Sequence, residues 1–362
     1  MPKIVLTGGG TAGHVTPNIA LMPALKAAGF EISYMGSVDG MEKDLIRSQK
    51  IPYYGVATGK LRRYFDLRNF TDPFRSIQGF TQARGMLKRI NPSIVFSKGG
   101  FVAVPVVHAA ASLHIPVVCH ESDITPGLAN KLCIPVATKI CCNFEETKDH
   151  LPEGKGVVTG SPIRAELFKG DREEALEFTG FKGDKPVLLI TGGSLGAVAI
   201  NEAIRRILPA LTDNFDVVHL CGRGKLDPTL HSREGYVQYE YVGAQMKHLF
   251  ALADVVVSRA GANSICELLA LKKPNLLIPL PAKASRGDQI LNASSFEKKG
   301  YSIVLQQEQM TDASLMQAIR NLYMNRDDYI TAMGTSPQKD AIKLIMDILC
   351  GLTGNITKND GL

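Results

Sequence analysis

Ile4-Val5-Leu6-Thr7-Gly8-Gly9-Gly10-Thr11-Ala12-Gly13 sets four apolar or β-branched residues directly before a glycine run. Leu188-Leu189-Ile190-Thr191-Gly192-Gly193-Ser194-Leu195-Gly196 repeats that arrangement in the second half of the chain. Short unbroken apolar runs suit strands covered on both faces, as in a parallel sheet. Glycines placed straight after them permit a tight turn into a helix. The fold class that follows is α/β, with two doubly wound domains that each open strand, glycine turn, helix. Working outward, strands are expected at 4–7, 32–35, 94–97 and 117–119, with helices at 15–28 and 101–113. A second series places strands at 187–191, 216–220, 254–258 and 275–279 and helices at 197–211, 263–271 and 289–298. The pattern pauses at Thr159-Gly160-Ser161-Pro162-Ile163-Arg164, so the expected division is 1–160 and 161–336, followed by a helical pattern at 338–349.

Composition agrees with this organisation. A chain of 362 residues, 45% hydrophobic and 21% charged, is long enough for two ordinary cores. The seven cysteines include no C-x-x-C, which argues against a disulfide framework and against zinc of the usual spacing. The run before the first glycines is too short for a signal peptide, and a reducing, cytoplasmic setting is expected. The uncharged stretch 101–119 is interrupted by Pro105, His108, His114 and Pro116, and reads as a buried helix followed by a buried strand, not a membrane span. Residues 60–89 hold eight Lys or Arg against two Asp, which equals the whole chain's net charge of +6. Tyr64, Phe65, Phe70, Phe74, Ile77, Phe80 and Met86 lie among these cations. The segment is either a solvated basic surface around a packed helix or a contact with anionic lipid headgroups. No nucleic-acid-reading module accompanies it, so a nucleic-acid partner is not expected.

Several motifs fall where strands run into helices. Gly8 to Gly13 matches G-x-G-x-x-G, whose amides can approach a diphosphate at a helix start. The acidic residue that a dinucleotide site wants at the end of the second strand is missing, since Met35 and Gly36 stand there. His14 follows the turn and is a general-base candidate, or else a helix-start histidine satisfied by a neighbouring carbonyl. Ser97-Lys98-Gly99-Gly100-Phe101 makes a second glycine turn on the same sheet edge, and His120-Glu121-Ser122-Asp123 adds an imidazole and two carboxylates. Either carboxylate could assist proton removal, or the group caps the helix near Gly127. Gly192 to Gly196 fits both a nucleophile elbow and a diphosphate cradle with Ser194 as hydroxyl donor. The elbow is disfavoured, because no histidine follows His248 and no aspartate in between sits persuasively. Glu267 lies early in a helix and could accept ribose hydroxyls, or simply favour the helix start. Asp288, Gln289 and Asn292 offer groups for sugar hydroxyls. No D-x-D occurs, so neither a metal nor a cofactor is expected.

Taken in order, LTGGGTAGHVTPNIAL (6–21), SKGGFVAVP (97–105), HESDITPGLANK (120–131), TGSPIR (159–164), ITGGSLGA (190–197), SRAGANSICELLAL (258–271) and SRGDQILNA (285–293) resemble the peptidoglycan N-acetylglucosaminyltransferases of the MurG family over nearly the whole chain. Ala12, Phe101 and Asp123 depart from what many members carry. The resemblance implies a GT-B fold, two Rossmann-like domains facing across a cleft, with helix 337–362 completing the first. It implies transfer of N-acetylglucosamine from UDP-N-acetylglucosamine to lipid I, giving lipid II, with inversion at the anomeric carbon, at the cytoplasmic face of the membrane; a transferase with another lipid-linked acceptor or an epimerase stays open. By the same resemblance, Gly192, Gly193 and Ser194 meet the donor diphosphate, Glu267 the ribose, and Gln289 and Asn292 the sugar. Arg164, Thr11, Ala12 and Gly13 face the donor. Gly9, Gly10, Gly99, Gly100 and Asn130 are expected to receive the acceptor, and position at the cleft edge makes His14 the expected base, with Glu121 in reserve.

Overall fold

The computed structural model describes residues 1–59, 72–193, 196–283, 286–336 and 340–354. The chain divides into two compact units, Met1–Arg164 with Gln338–Leu362 and Ala165–Pro337. The first carries strands β1 (Lys3–Thr7), β2 (Glu31–Ser37), β3 (Tyr53–Val56), β4 (Ile94–Ser97), β5 (Val117–Glu121), β6 (Lys139–Cys142) and β7 (Gly156–Val158). They form one all-parallel sheet in the order β3-β2-β1-β4-β5-β6-β7. The chain builds outward from β1 in one direction, then returns to the other side of β1 with β4. Ligands of such sheets bind beyond the strand ends at that switch point. Here the register sets Thr7 beside Ser97, so the two glycine turns at 8–10 and 99–100 leave from adjacent strand ends.

Side-chain alternation explains the two layers. Ile4, Leu6, Ile32, Tyr34, Ile94 and Phe96 bury against helix Thr16–Ala27 and against Ile345, Met346 and Leu349 of the final helix Ala341–Thr353. Val5, Met35, Val95 and Cys119 point the other way, onto Ala83 and Leu87 of helix Asp72–Ile90 and Val106 and Ala110 of helix Ala103–Ser112. Both faces of β1 are therefore dry, which is why Ile4, Val5 and Leu6 at its centre are all apolar. The uncharged stretch resolves into helix Ala103–Ser112 and strand β5, as expected. Among the described residues no helix is long and apolar enough to cross a membrane.

The second unit repeats the plan with β8 (Val187–Thr191), β9 (Asp216–Leu220), β10 (Tyr236–Tyr239), β11 (Val255–Ser258), β12 (Asn275–Leu277) and β13 (Ser302–Val304). Their parallel order is β10-β9-β8-β11-β12-β13, and the switch lies between β8 and β11. Leu188, Ile190, Val255 and Val257 pack under helices Val198–Thr212 and Asp312–Met324. Local signals fix helix ends: Asp171 accepts from the amides of Glu173 and Glu174, and Gly180 closes the same helix in the left-handed region at φ 74°.

Candidate active site

His14 closes a single 3-10 turn, Ala12–His14, between the first glycine run and helix Thr16–Ala27. Its Nδ1 lies 3.0 Å from the Gly9 carbonyl oxygen, and since a carbonyl only accepts, Nδ1 carries the proton. Nε2 is then left with its lone pair. Burial lowers the affinity of the ring for a second proton; the Gly9 bond works against this, Lys98 adds to it, and Asp123 and Glu42 oppose it. The balance lies below the usual histidine range. The structure therefore supplies a neutral imidazole with a basic nitrogen, in a wall of a cavity of about 920 Å³ bordered also by Gly10, Thr11, Gly100, Phe101 and Arg75.

Three buried groups shape the turn. Tyr34 donates its hydroxyl to the Gly8 carbonyl at 2.8 Å, and Asn18 donates to Tyr34 and to the Thr7 carbonyl at 3.2 Å each. Glu42, fully buried at the start of helix Glu42–Arg47, accepts from the Ser37 amide at 2.9 Å, the Ser37 hydroxyl at 2.5 Å and the Gly10 amide at 3.3 Å. The second glycine turn comes so close that a Cβ on Gly100 would fall on the Gly9 carbonyl oxygen and stand 3.2 Å from His14 Nδ1. Gly100 also has φ +83°, so the position suits glycine on both counts.

Behind the second turn, Lys98 is buried and donates to His120 Nδ1 at 2.7 Å and to the Ser122 hydroxyl at 2.5 Å. His120 Nε2 donates to the Gly160 carbonyl at 2.9 Å. Burial, then the Lys98 charge, keeps His120 far below the ordinary histidine range. Glu121 accepts from the amides of Ser122, Asp123 and Gly127 and from the Asn130 side chain, all within 2.8–3.0 Å. Four donors on a carboxylate that is 4% exposed leave it no lone pair directed at a ligand.

In the second unit the turn after β8 carries Gly192, where a Cβ would strike the Ala197 amide nitrogen, and Gly193 at φ 78°. Ser194 lies outside the described residues. Glu267 is half-buried on helix Ala262–Ala270, beyond β11. Gln289 Oε1 accepts from the Leu280 amide at 3.1 Å. Arg286 and Asp288 pair with each other at 2.7 Å. Arg259 donates to the carbonyls of Ile278 and Pro279 and to Gln307, fixing the end of the neighbouring strand.

Two domain models cover most of the chain: the N-terminal domain of glycosyltransferase family 28 over residues 4–142 and its C-terminal domain over 187–347. The chain belongs to glycosyltransferase family 28. A relative of this family 28 chain from Lachnospira eligens, named UDP-N-acetylglucosamine–N-acetylmuramyl-(pentapeptide) pyrophosphoryl-undecaprenol N-acetylglucosamine transferase, is 61% identical over 96% of this chain and 99% of its own. One of the same name from Lachnoclostridium phytofermentans is 58% identical over 96% and 98%. The solved structure of Acinetobacter baumannii MurG superposes with a TM-score of 0.76 at 28% identity, over 97% of this chain and 100% of that one. The two-sheet α/β architecture is thus a GT-B fold.

Within this family 28 chain, His14, Gly9, Gly10, Thr11 and Gly100 come together at one cavity. Ala12 and Gly13 form the 3-10 turn beneath it, and Gly99 lies against Asn130, 3.0 Å from its Oδ1 for a Cβ built there. Arg164 is half-buried at the end of the first unit. Three of the expected site residues are engaged with the protein itself. Glu121, through the four donors above, caps the 122–127 turn. Asn130 faces inward, 7% exposed and donating to Glu121 and to the His120 carbonyl. Asn292 is buried and donates to the Ala260 carbonyl at 3.4 Å, which ties its helix to the turn after β11. Of the basic segment, residues 60–71 lie outside the described residues, and Phe74 has no described side chain. Phe80 and Met86 pack against the core, while Ile77, Arg75, Lys88 and Arg89 of the same helix are exposed. Sequence reading missed Glu42, Tyr34 and Asn18; the glycines at 36 and 40 that crowd Glu42 are the signal that it sits close to backbone.

Proposed function

We propose that this chain transfers N-acetylglucosamine from UDP-N-acetylglucosamine to the C4 hydroxyl of the N-acetylmuramoyl sugar of lipid I, giving lipid II with inversion. The observation that carries the reaction is the match, over 96% of the chain, to relatives bearing that transferase name. The site supports it from the chemical side. In this reading His14 Nε2 takes the proton of the acceptor hydroxyl, whose oxygen bonds to the anomeric carbon as the bond from that carbon to the diphosphate oxygen breaks. The electron pair leaves with UDP, and the Gly9 carbonyl holds the imidazolium through Nδ1–H. Burial lowers the proton affinity of the ring, so the free imidazole is the form that meets the acceptor at neutral pH.

On the donor side, the amides at Gly192 and Gly193 with the Ser194 hydroxyl meet the diphosphate, and Glu267 accepts ribose hydroxyls. Gln289, with its oxygen committed to Leu280, turns its amide nitrogen to the sugar. Arg164, Thr11, Ala12 and Gly13 complete the donor's surroundings, and the turns at Gly9, Gly10, Gly99 and Gly100 receive the acceptor. The basic segment 60–89 rests on anionic lipid at the cytoplasmic face, with Ile77 dipping in and Arg75, Lys88 and Arg89 beside the headgroups. The test is UDP release from UDP-N-acetylglucosamine, with and without a short-chain lipid I analogue and without added metal. Acceptor-dependent release is expected; UDP binding without release in either condition would overturn the transferase reading.

A further inference from the structure

The Gly9 carbonyl and the Gly10 N–H belong to one trans peptide group, so they point in opposite directions. Glu42 takes the N–H end at 3.3 Å, and His14 Nδ1–H takes the carbonyl end at 3.0 Å. Carboxylate, peptide and imidazole therefore stand in series, each bond polarising the next. Room for the carboxylate has been made deliberately in the covalent structure: a Cβ on Gly9 or on Gly40 would fall on Glu42 Oε1, and one on Gly36 would stand 2.9 Å from its Cγ. Burial pushes the Glu42 carboxyl up, but the hydroxyl and amide of Ser37, its own amide and that of Gly10 outweigh it and hold it ionised.

We infer that Glu42 is a positioning residue for the transfer reaction: through the Gly9–Gly10 peptide it orients His14 and stabilises the imidazolium that forms when Nε2 takes the acceptor's proton. This rests on the reading of His14 as base. An anion two hydrogen bonds away can act on the imidazolium through the peptide while leaving Nε2 free for the acceptor's proton. The other charges acting on His14 are Lys98, from the end of β4, and Asp123, beyond β5, with Arg75 and Asp39 on the border of the same cavity. Those around Glu42 are Tyr34 and Tyr53, both kept protonated by burial, with Arg47 and Asp39 further out.

The experiment is Glu42→Gln, with His14→Gln alongside, read by kcat, by the pH profile of kcat/KM and by NMR titration of ¹³C-labelled histidine in the free protein. Removing the anion should lower the pH at which His14 titrates, and with it the acidic limb of kcat/KM, by roughly 0.5–1. Turnover on the plateau should fall roughly tenfold, the usual scale for a partner one shell removed. A His14 midpoint and limb identical to those of the unaltered protein would overturn the inference whatever happens to the rate, because a merely structural carboxylate moves neither. If the midpoint moves but His14→Gln keeps its turnover, the base reading fails while the coupling of Glu42 to His14 stands. Should Glu42→Gln not fold, Gly40→Ala displaces the carboxylate with its charge intact. The same downward movement, smaller, is expected there, and its absence in a folded Gly40→Ala protein overturns the proposal.

Discussion

Gly100→Ala tests whether the two glycine turns converge on His14 as described. Gly100 has φ +83°, where an alanine costs about 1–2 kcal/mol. Its Cβ would also fall on the Gly9 carbonyl oxygen, and relieving such an overlap adds roughly 1–3 kcal/mol. The loss of stability should therefore reach roughly 2–5 kcal/mol, or about 5–15 °C in Tm for a unit of this size. Relief requires Gly9 or His14 to move, and a displacement near 1 Å at a reacting group can lower turnover about a hundredfold. Gly29 supplies the comparison, with a similar φ of +79° and open space around its Cβ position. Gly29→Ala should lose only the conformational part, about 1–2 kcal/mol, with kcat unchanged. The assay is thermal unfolding together with acceptor-dependent UDP release. If Gly100→Ala loses no more stability than Gly29→Ala and keeps kcat within about twofold, inside the hundredfold scale of a misplaced group, the two turns do not meet at His14.

Three further outcomes follow from the buried charges. His120 is held neutral by burial and Lys98, and His219 is pushed down to about 3 by burial and then Arg205. Both imidazoles protonate more readily once unfolded, so their stabilising effect is complete above about pH 6.5 and is lost as pH falls, at roughly 1.4 kcal/mol per pH unit for each; urea midpoints at pH 7, 6 and 5 should decline, and a flat series would contradict it. Glu121→Gln removes a carboxylate that four donors share and should destabilise by roughly 2–4 kcal/mol while the folded fraction keeps its turnover; a variant of normal Tm with no turnover would restore Glu121 as a base. Replacing the exposed Lys88 and Arg89 by serine should weaken binding to phosphatidylserine vesicles by about 2 kcal/mol, near thirtyfold, in a flotation assay at fixed salt, and unchanged binding would remove the segment from the membrane contact.

The α/β class was legible because strands buried on both faces are apolar through their middles. β1, β4, β5, β8 and β11 announce themselves by unbroken apolar runs that turn polar only at their ends, while β9 carries the buried His219 within its run. β3, β7, β10 and β13 lie at the sheet margins, three or four residues long and mostly half-buried, so their polar and apolar residues mix and no period is readable. β6 is interior, but its Lys139-Ile140-Cys141-Cys142 is too short to stand out. The sheet edge that bears the site was visible all the same, since a glycine turn after a strand states a backbone requirement that holds in any surroundings.

Side-chain roles are less legible, because the direction of a carboxylate is decided by what surrounds it and not by its place in the chain. Glu121 stands at a strand end, where an acid at the ligand edge is expected, yet the turn that follows folds its own amides back onto it. Glu42 shows the converse. It comes several residues after β2, too late for the acid that binds ribose in a dinucleotide site, and a lone glutamate at a helix start ordinarily does no more than favour the helix dipole. Gly36 and Gly40 change that by removing the side chains that would keep it out, and Gly9 removes the last obstacle. The carboxylate then slides under the first glycine turn and takes the amide whose other face holds His14. Glycines read as freedom for the backbone to approach a phosphate are, at these positions, equally the space into which the protein fits its own anion.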